Sequence, residues 1–138
     1  MQILSLSSAV AYGHVGNRAA VLPLQRLGFE VWPVDTVQFS NHPGHGGFAG
    51  TVARAEDVAA LVDGLARLGV LDRCDGLLTG YLGDAGTGAA ALAAHAGMRA
   101  DALYLCDPVM GDEGPGVSVR PGIPDFMRER ALPAADVV

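Results

Sequence analysis

The stretch from Gly76 to Pro108, GLLTGYLGDAGTGAAALAAHAGMRADALYLCDP, carries a strand, a helix and a second strand in succession. Short apolar runs at Gly76 to Gly80 and at Ala102 to Cys106 predict the two strands. The alanine-rich segment between them, Asp84 to Ala96, predicts the helix. Strands that alternate with helices are typical of a parallel sheet covered by helices on both faces.

The same alternation continues on both sides of this stretch. Before it, the patterns predict strands at Ile3 to Leu6 and Phe29 to Val34, and helices at Asn17 to Leu27 and Ala55 to Leu68. After it, they predict a last helix over Pro121 to Arg130, opened by Pro124, and the entry to a fifth strand at Asp136 to Val138. Pro23 predicts a kink or a late start in the first helix. We therefore expect an α/β fold, a three-layer αβα sandwich around a mainly parallel sheet.

The composition excludes several classes of function. The 138 residues carry a formal charge of −6, and all nine basic residues are arginine. Without lysine, a Walker A loop, a lysine Schiff base and a lysine general base are all impossible. The acidic balance and the lack of a basic cluster argue against nucleic acid as a partner.

The sequence shows no sign of a membrane or secretory protein. It contains no run of 18 apolar residues, and its start lacks the basic region of a signal peptide, which predicts a cytoplasmic protein with no membrane partner. Cys74 and Cys106 lack metal-ligand spacing, so we expect buried thiols rather than a disulfide or a zinc site.

Four polar loops follow the four predicted strands, at Ser7 to Asn17, Asp35 to Gly50, Gly80 to Gly88 and Asp107 to Gly116. In a parallel sheet these loops emerge at one edge and form a common crevice. The last loop holds Asp107, Asp112 and Glu113 among glycines. Such carboxylates suit a Mg²⁺–polyphosphate site, although an acidic surface turn explains them equally well.

Two features of these loops leave the kind of ligand open. His14, His42 and His45 lack the spacing of metal ligands on one element, which favours ordinary hydrogen-bonding roles. Tyr81 directly follows a strand, so it is either a buried aromatic or a lid over a flat ligand, and its position favours the lid.

Four motifs in these loops resemble one enzyme family. They are SxxxYGHVGN from Ser8 to Asn17, TVQFSNH from Thr36 to His42, TGYLG from Thr79 to Gly83, and CDPVMGD from Cys106 to Asp112. Their combination and order closely resemble the pyridoxal kinases of the ribokinase-like superfamily. The related hydroxymethylpyrimidine kinases share the DPVM block but differ in the FSNH loop.

The resemblance implies transfer of a phosphoryl group from Mg-ATP to the 5′-hydroxyl of pyridoxal, pyridoxine or pyridoxamine. By this analogy Ser8 hydrogen-bonds the pyridine ring, Val15 and Tyr81 pack on its faces, and the loop of His42, Pro43 and Gly44 closes over it. Asp107 and Asp112 would bind ATP and its metal, with the segment from Asp112 to Val119 as a lid. The implied cofactors are Mg²⁺ and a monovalent cation, and the implied assembly is a homodimer.

The sequence departs from the family in two respects. Pro43 stands where many relatives carry threonine, which removes a side-chain hydroxyl. The family's chains are roughly double this length, and their second half supplies the GTGD anion hole, the general base and much of the adenine pocket. Residues 1 to 138 then correspond to the N-terminal part of a single kinase domain, with the C-terminal half absent and no catalytic base. This chain alone would be inactive. The alternatives are a hydroxymethylpyrimidine kinase fragment and a non-catalytic B6-binding module.

Overall fold

The computed structural model describes residues 1–112 and 116–138, and the side chain of Asp112 lies outside this description. Its main sheet has the strand order β3-β2-β1-β4-β5. These strands are β1 (Gln2–Tyr12), β2 (Glu30–Asn41), β3 (Gly50–Val52), β4 (Gly76–Thr79) and β5 (Leu103–Cys106). β2, β1, β4 and β5 run parallel, and β3 pairs antiparallel with β2. A small antiparallel ribbon of β6 (Gly111–Asp112) and β7 (Gly116–Val117) follows β5.

The helices connect these strands in the predicted alternation. They are α1 (Asn17–Arg26), α2 (Ala55–Leu68), α3 (Ala85–Ala96), α4 (Ile123–Phe126) and α5 (Leu132–Ala134), with a π-helical turn at Met127–Ala131 between the last two. Short 3₁₀ turns lie at Pro43–His45 and Leu71–Arg73. None of the described helices combines the length and hydropathy that a membrane crossing requires.

The main core lies between the sheet and helices α2 and α3. Leu4, Leu6, Leu77 and Tyr104 of the sheet are fully or almost fully buried there. The helices contribute Val58 and Val62 from α2 and three small residues from α3, Ala90, Ala91 and Ala94. Small side chains on α3 allow close packing, because a Cβ on Gly88 would collide with the ring of Phe126.

α1 lies on the opposite face of the sheet. In β1, Leu4 and Leu6 face the main core, and the intervening Ser5 is bonded to Asn17 at the start of α1. Because successive side chains of a strand point to opposite faces, α1 and the α2–α3 pair cover different faces. The predicted three-layer arrangement is confirmed. Leu103 and Leu105 alternate with the buried Tyr104 and Cys106 and remain 58% and 41% exposed.

The C-terminal residues, predicted to enter a further strand, run beside β5. Val137 forms a parallel bridge with Leu105, and the backbone N–H of Cys106 donates to the Val137 carbonyl at 2.9 Å. Both cysteines are buried and free, as expected, and burial raises the pKa of the Cys74 thiol.

Several predicted boundaries were wrong. β1 continues to Tyr12 and β2 to Asn41, so Ser7, Ser8 and residues 36 to 41 lie in strands rather than loops. The two strands pair with each other along this extension, and the pairing satisfies backbone groups that a loop would leave to water. The late start of the first helix was also wrong, because α1 begins at Asn17 and contains Pro23. The last helix begins at Ile123 rather than Pro121.

Candidate active site

A cavity of about 880 Å³ lies at the carboxyl edge of the parallel strands, where the four predicted loops were expected to converge. All six residues predicted to bind the ring compound line it: Ser8, Val15, His42, Pro43, Gly44 and Tyr81. Asp107, predicted for the nucleotide and metal, lines the same cavity. The side chain of Asp112 and the middle of the predicted lid, residues 113 to 115, lie outside the described residues.

Ser8 lies at an irregularity of β1, where the pairing with β2 shifts register between Ser7 and Ala9. Gly16 packs directly against it: a Cβ there would overlap the Ser8 carbonyl oxygen and hydroxyl. Gly16 also has φ +53°, which favours glycine. The strand irregularity and the glycine therefore bring Ser8 and Val15 together on one side of the cavity.

Hydrogen bonds of the Asn17 side chain fix the turn that carries Val15. The buried Asn17 side chain accepts a hydrogen bond from the Ser5 hydroxyl at 2.7 Å and donates to the Asp35 carboxylate at 2.8 Å. Its amide nitrogen also lies 3.2 Å from the Val34 carbonyl oxygen and 3.3 Å from the Ser7 carbonyl oxygen. One asparagine thus joins α1 to β1 and β2, which explains the final residue of the YGHVGN motif.

Tyr81 is held by the neighbouring strand. The buried hydroxyl of Thr36 in β2 donates to the Tyr81 carbonyl at 2.5 Å. Gly80 passes so close to the Ser7 hydroxyl that it has no room for a Cβ. The Tyr81 side chain is half-buried and lines the cavity, a placement that suits packing against a flat ligand.

The His42 turn forms another wall. The Nδ1 atom of His42 accepts a hydrogen bond from the Gly44 N–H at 3.1 Å, which fixes the ring at the start of the 3₁₀ turn. In the neutral ring the proton therefore resides on Nε2, which remains available as a donor. The His42 and His45 rings lie 6.4 Å apart, in an edge-on arrangement.

Asp107, predicted to bind the nucleotide and its metal, directly follows the end of β5. The Asp107 N–H donates to the Thr79 carbonyl at 2.8 Å, so the exposed carboxylate starts from a fixed backbone. In the sheet, the side-chain hydroxyls of Thr79 and Tyr104 lie 2.9 Å apart. Burial raises the pKa of Tyr104, which keeps its phenol protonated. The cavity is also lined by Val109, Gly111, Ser118 and Arg120.

The chemistry of the Asp107 carboxylate fits a magnesium–phosphate complex. Within residues 1–112 and 116–138, no three His, Cys, Asp or Glu side chains cluster as ligands for a metal ion. Mg²⁺ does not require such a cage, because it usually takes one or two carboxylates and fills its other positions with phosphate and water. Asp107 supplies one hard oxygen ligand of that kind.

The chain is similar to several proteins named pyridoxal kinase. The chain is 58% identical over its whole length to a Rubrobacter xylanophilus protein named pyridoxal kinase PdxY, of which it covers 49%. A Deinococcus radiodurans protein of that name is 55% identical over 99% of this chain and 47% of its own length. Pyridoxal kinase from Leishmania donovani, solved with ADP and ginkgotoxin, superimposes with a TM-score of 0.83 at 35% identity over 98% of this chain and 48% of that one.

The chain is similar to the N-terminal half of pyridoxal kinases. It spans about half the length of the curated relatives it matches. Its α/β fold matches the corresponding half of the solved pyridoxal kinases. No protein-family model matches the sequence.

Several residues that line this cavity were not predicted from the sequence. Val37 and Phe39 of β2 line it together with Gly50 and Val52 of β3, and the Phe39 ring lies 4.4 Å from that of Phe48. The alternation Val37-Gln38-Phe39 is a period-two signal that predicts a strand with one apolar face. Reading residues 36 to 50 as an irregular loop concealed this apolar wall.

Proposed function

We propose that the protein containing this chain is an ATP-dependent pyridoxal kinase that phosphorylates the 5′-hydroxyl of pyridoxal, pyridoxine or pyridoxamine to give the 5′-phosphate. One observation carries the proposal: a single cavity unites the ring-binding candidates with Asp107. The Leishmania relative, which has been solved with ADP together with pyridoxamine or pyridoxine, supports this choice of ligands.

In this proposal, one end of the cavity binds the pyridine ring and the other binds the nucleotide. At one end Val15, Tyr81 and the Phe39 wall sandwich the pyridine ring, and the Ser8 hydroxyl hydrogen-bonds it. The turn of His42, Pro43 and Gly44 closes over the ring and excludes water. Holding the hydroxymethyl group towards Asp107 makes the transfer effectively unimolecular, the main contribution a protein makes to phosphoryl transfer.

At the other end Asp107, with Asp112, binds the nucleotide and its metal. The metal held there would supply positive charge to offset the charge that develops on the phosphoryl oxygens. The backbone of Asp107 is fixed to Thr79, so the point from which its carboxylate extends is set before the nucleotide binds. We assign no general base to this chain. The base and the anion hole belong to the second half that relatives possess, so residues 1 to 138 alone bind ligand without turnover.

The same proposal includes the wider setting. Residues 1 to 138 form the N-terminal part of one kinase domain, whose complete form is a cytoplasmic homodimer that uses Mg²⁺ and a monovalent cation. The similarity to pyridoxal kinases supports these assignments.

The test uses the full-length protein that contains this chain. Purified protein should convert pyridoxal to the 5′-phosphate with ATP and Mg²⁺, and Asp107→Ala should lower kcat/KM about 100-fold or more. Asp72→Ala is the matched control, because Asp72 is exposed in the turn before β4, at the other edge of the sheet. Unchanged kinetics for Asp107→Ala would refute its assigned role.

Two further results decide between the alternatives. Preferential phosphorylation of hydroxymethylpyrimidine would assign the protein to the related kinases. A non-catalytic module requires binding without turnover in the complete protein, and calorimetric titration with pyridoxal that yields no heat would exclude it.

A further inference from the structure

Arg120 is the only arginine among the described residues that line the main cavity. The chain contains no lysine, so the described lining residues include no other permanently charged cationic side chain. Arg54, Arg99 and Arg128 form surface ion pairs of 2.7 Å elsewhere. A nucleotide polyphosphate in this cavity therefore meets one fixed positive charge from this chain.

The backbone holds Arg120 firmly while its side chain stays accessible. Nearby, the Ser118 N–H donates to the Met110 carbonyl at 3.0 Å, and the Ile123 N–H donates to the Arg120 carbonyl at 3.3 Å. Val119 packs on the main core. The Arg120 side chain is 55% exposed, so it can change partners without disturbing the fold.

The present partner of Arg120 is weakly held. Its Nη1 lies 3.7 Å from Oδ2 of Asp84, beyond hydrogen-bonding distance. Asp84 uses its other oxygen, Oδ1, to cap α3 by accepting from the Gly86 N–H at 2.8 Å. An exposed ion pair at this distance contributes little to stability, so a phosphate can displace it readily.

We propose that Arg120 is a nucleotide-positioning residue that leaves Asp84 and binds the terminal phosphates of ATP or ADP. The proposal rests on the proposed kinase function and adds a residue to it. Arg120 lines the same cavity as Asp107, where the metal and polyphosphate are expected. The hydrogen bond from the Ser118 N–H to the Met110 carbonyl also joins the segment before Arg120 to the segment after Asp107. A guanidinium presents two parallel N–H donors to phosphate oxygens, a geometry that lysine does not offer.

The experiment compares Arg120→Ala, Arg120→Lys and Asp84→Asn in the full-length protein, with Arg54→Ala as a surface control. We expect Arg120→Ala to weaken ADP binding, measured by calorimetry, about tenfold, and to raise the KM for ATP to a similar extent. The KM for pyridoxal and the affinity for adenosine, which lacks phosphates, should stay unchanged. Arg120→Lys should recover part of the loss, and Arg54→Ala should match the wild type.

The Asp84→Asn variant distinguishes a role of Arg120 in nucleotide binding from a purely structural role of its ion pair with Asp84. Asparagine caps helices as well as aspartate does, so α3 is preserved and only the ion pair is lost. The proposal expects ADP to bind as tightly as in the wild type or more tightly. Two results would overturn the proposal. If Asp84→Asn and Arg120→Ala weaken ADP binding equally, the ion pair has a structural role instead. If Arg120→Ala leaves ADP affinity unchanged, Arg120 does not bind the phosphates. If the protein binds ADP but phosphorylates no B6 vitamer, the proposed function fails while the binding measurements still decide the role of Arg120.

Discussion

Replacing Asn17 by alanine should damage both the stability of the fold and the ring end of the cavity. The substitution removes the acceptor of the Ser5 hydroxyl and the donor to Asp35, and it abandons the longer contacts to two backbone carbonyls. Ser5 is fully buried, so water cannot replace the lost partner. The turn that carries Val15 then loses its attachment to β1 and β2.

The magnitude follows from counting these groups. The two short hydrogen bonds contribute about 1 kcal/mol each, and a buried hydroxyl left without a partner costs about 1 kcal/mol or more. We therefore expect the free energy of unfolding of the full-length protein to fall by about 3 kcal/mol. For a protein of that size this corresponds to a decrease in Tm of roughly 6 to 12 °C.

Thermal unfolding followed by circular dichroism measures the first effect, and the KM for pyridoxal measures the second. Asn41→Ala is the control, because Asn41 is the only other asparagine in the chain and its side chain makes three hydrogen bonds near the cavity, all of them exposed. Its Tm should fall by much less, since water can replace exposed partners. If the two variants lose equal stability, the buried network of Asn17 does not have the importance assigned to it.

Two further predictions concern the glycine turn and the response to acid. Gly16→Ala should raise the KM for pyridoxal, because the new Cβ overlaps Ser8. Gly28→Ala is the control: Gly28 also has a positive φ but lies in open space, so the variant should lose stability with the KM unchanged. Equal KM values for the two variants would contradict this steric argument. The backbone N–H of Gln2 is the main cause that lowers the pKa of Asp75 below its ordinary 3.8, so its ionised form stabilises the fold above that value and this stabilisation is lost as the pH falls. In acid unfolding, Asp75→Asn should be less stable than the wild type near neutral pH and converge with it on acidification; a constant difference down to about pH 2 would exclude this linkage.

Local signals made the helices predictable. The bounds of α2 match the prediction from its apolar spacing, with acids in its first turn and Gly69 in the left-handed conformation just beyond its end. α3 begins after Asp84, whose side chain caps it. Periodicity and capping act over a few residues, so a single sequence reveals them.

The lengths of β1 and β2 were not predictable in the same way. Ser7 and Ser8 look like the end of a strand because two polar residues interrupt the apolar run. The strand continues because Ala9 and Val10 find partners in Gln38 and Phe39, nearly thirty residues away. Pairing over such a distance leaves little trace in the local pattern.

The candidate site shows the same contrast between residues that a local motif reveals and residues that only the folded chain brings together. The motifs predicted residues that line one cavity, Asp107 among them, because parallel strands bring their following loops to one edge. Arg120 carried no such signal: nine arginines are equivalent in the sequence, and only the path of the chain after the β6–β7 ribbon brings this one to the cavity.

The continuation of β2 from the core into the cavity wall makes the two sides of the site unequal in local stability. Val37 and Phe39 belong to a strand that is hydrogen-bonded on both sides, so exposing their amides to solvent requires opening of the sheet itself. The exposed turn of Pro43–His45 has no such neighbours and can open with a small free-energy cost. Under the proposed function, ligand exchange would proceed by fluctuation of the Pro43–His45 wall, while the β2 wall keeps its shape for the next molecule.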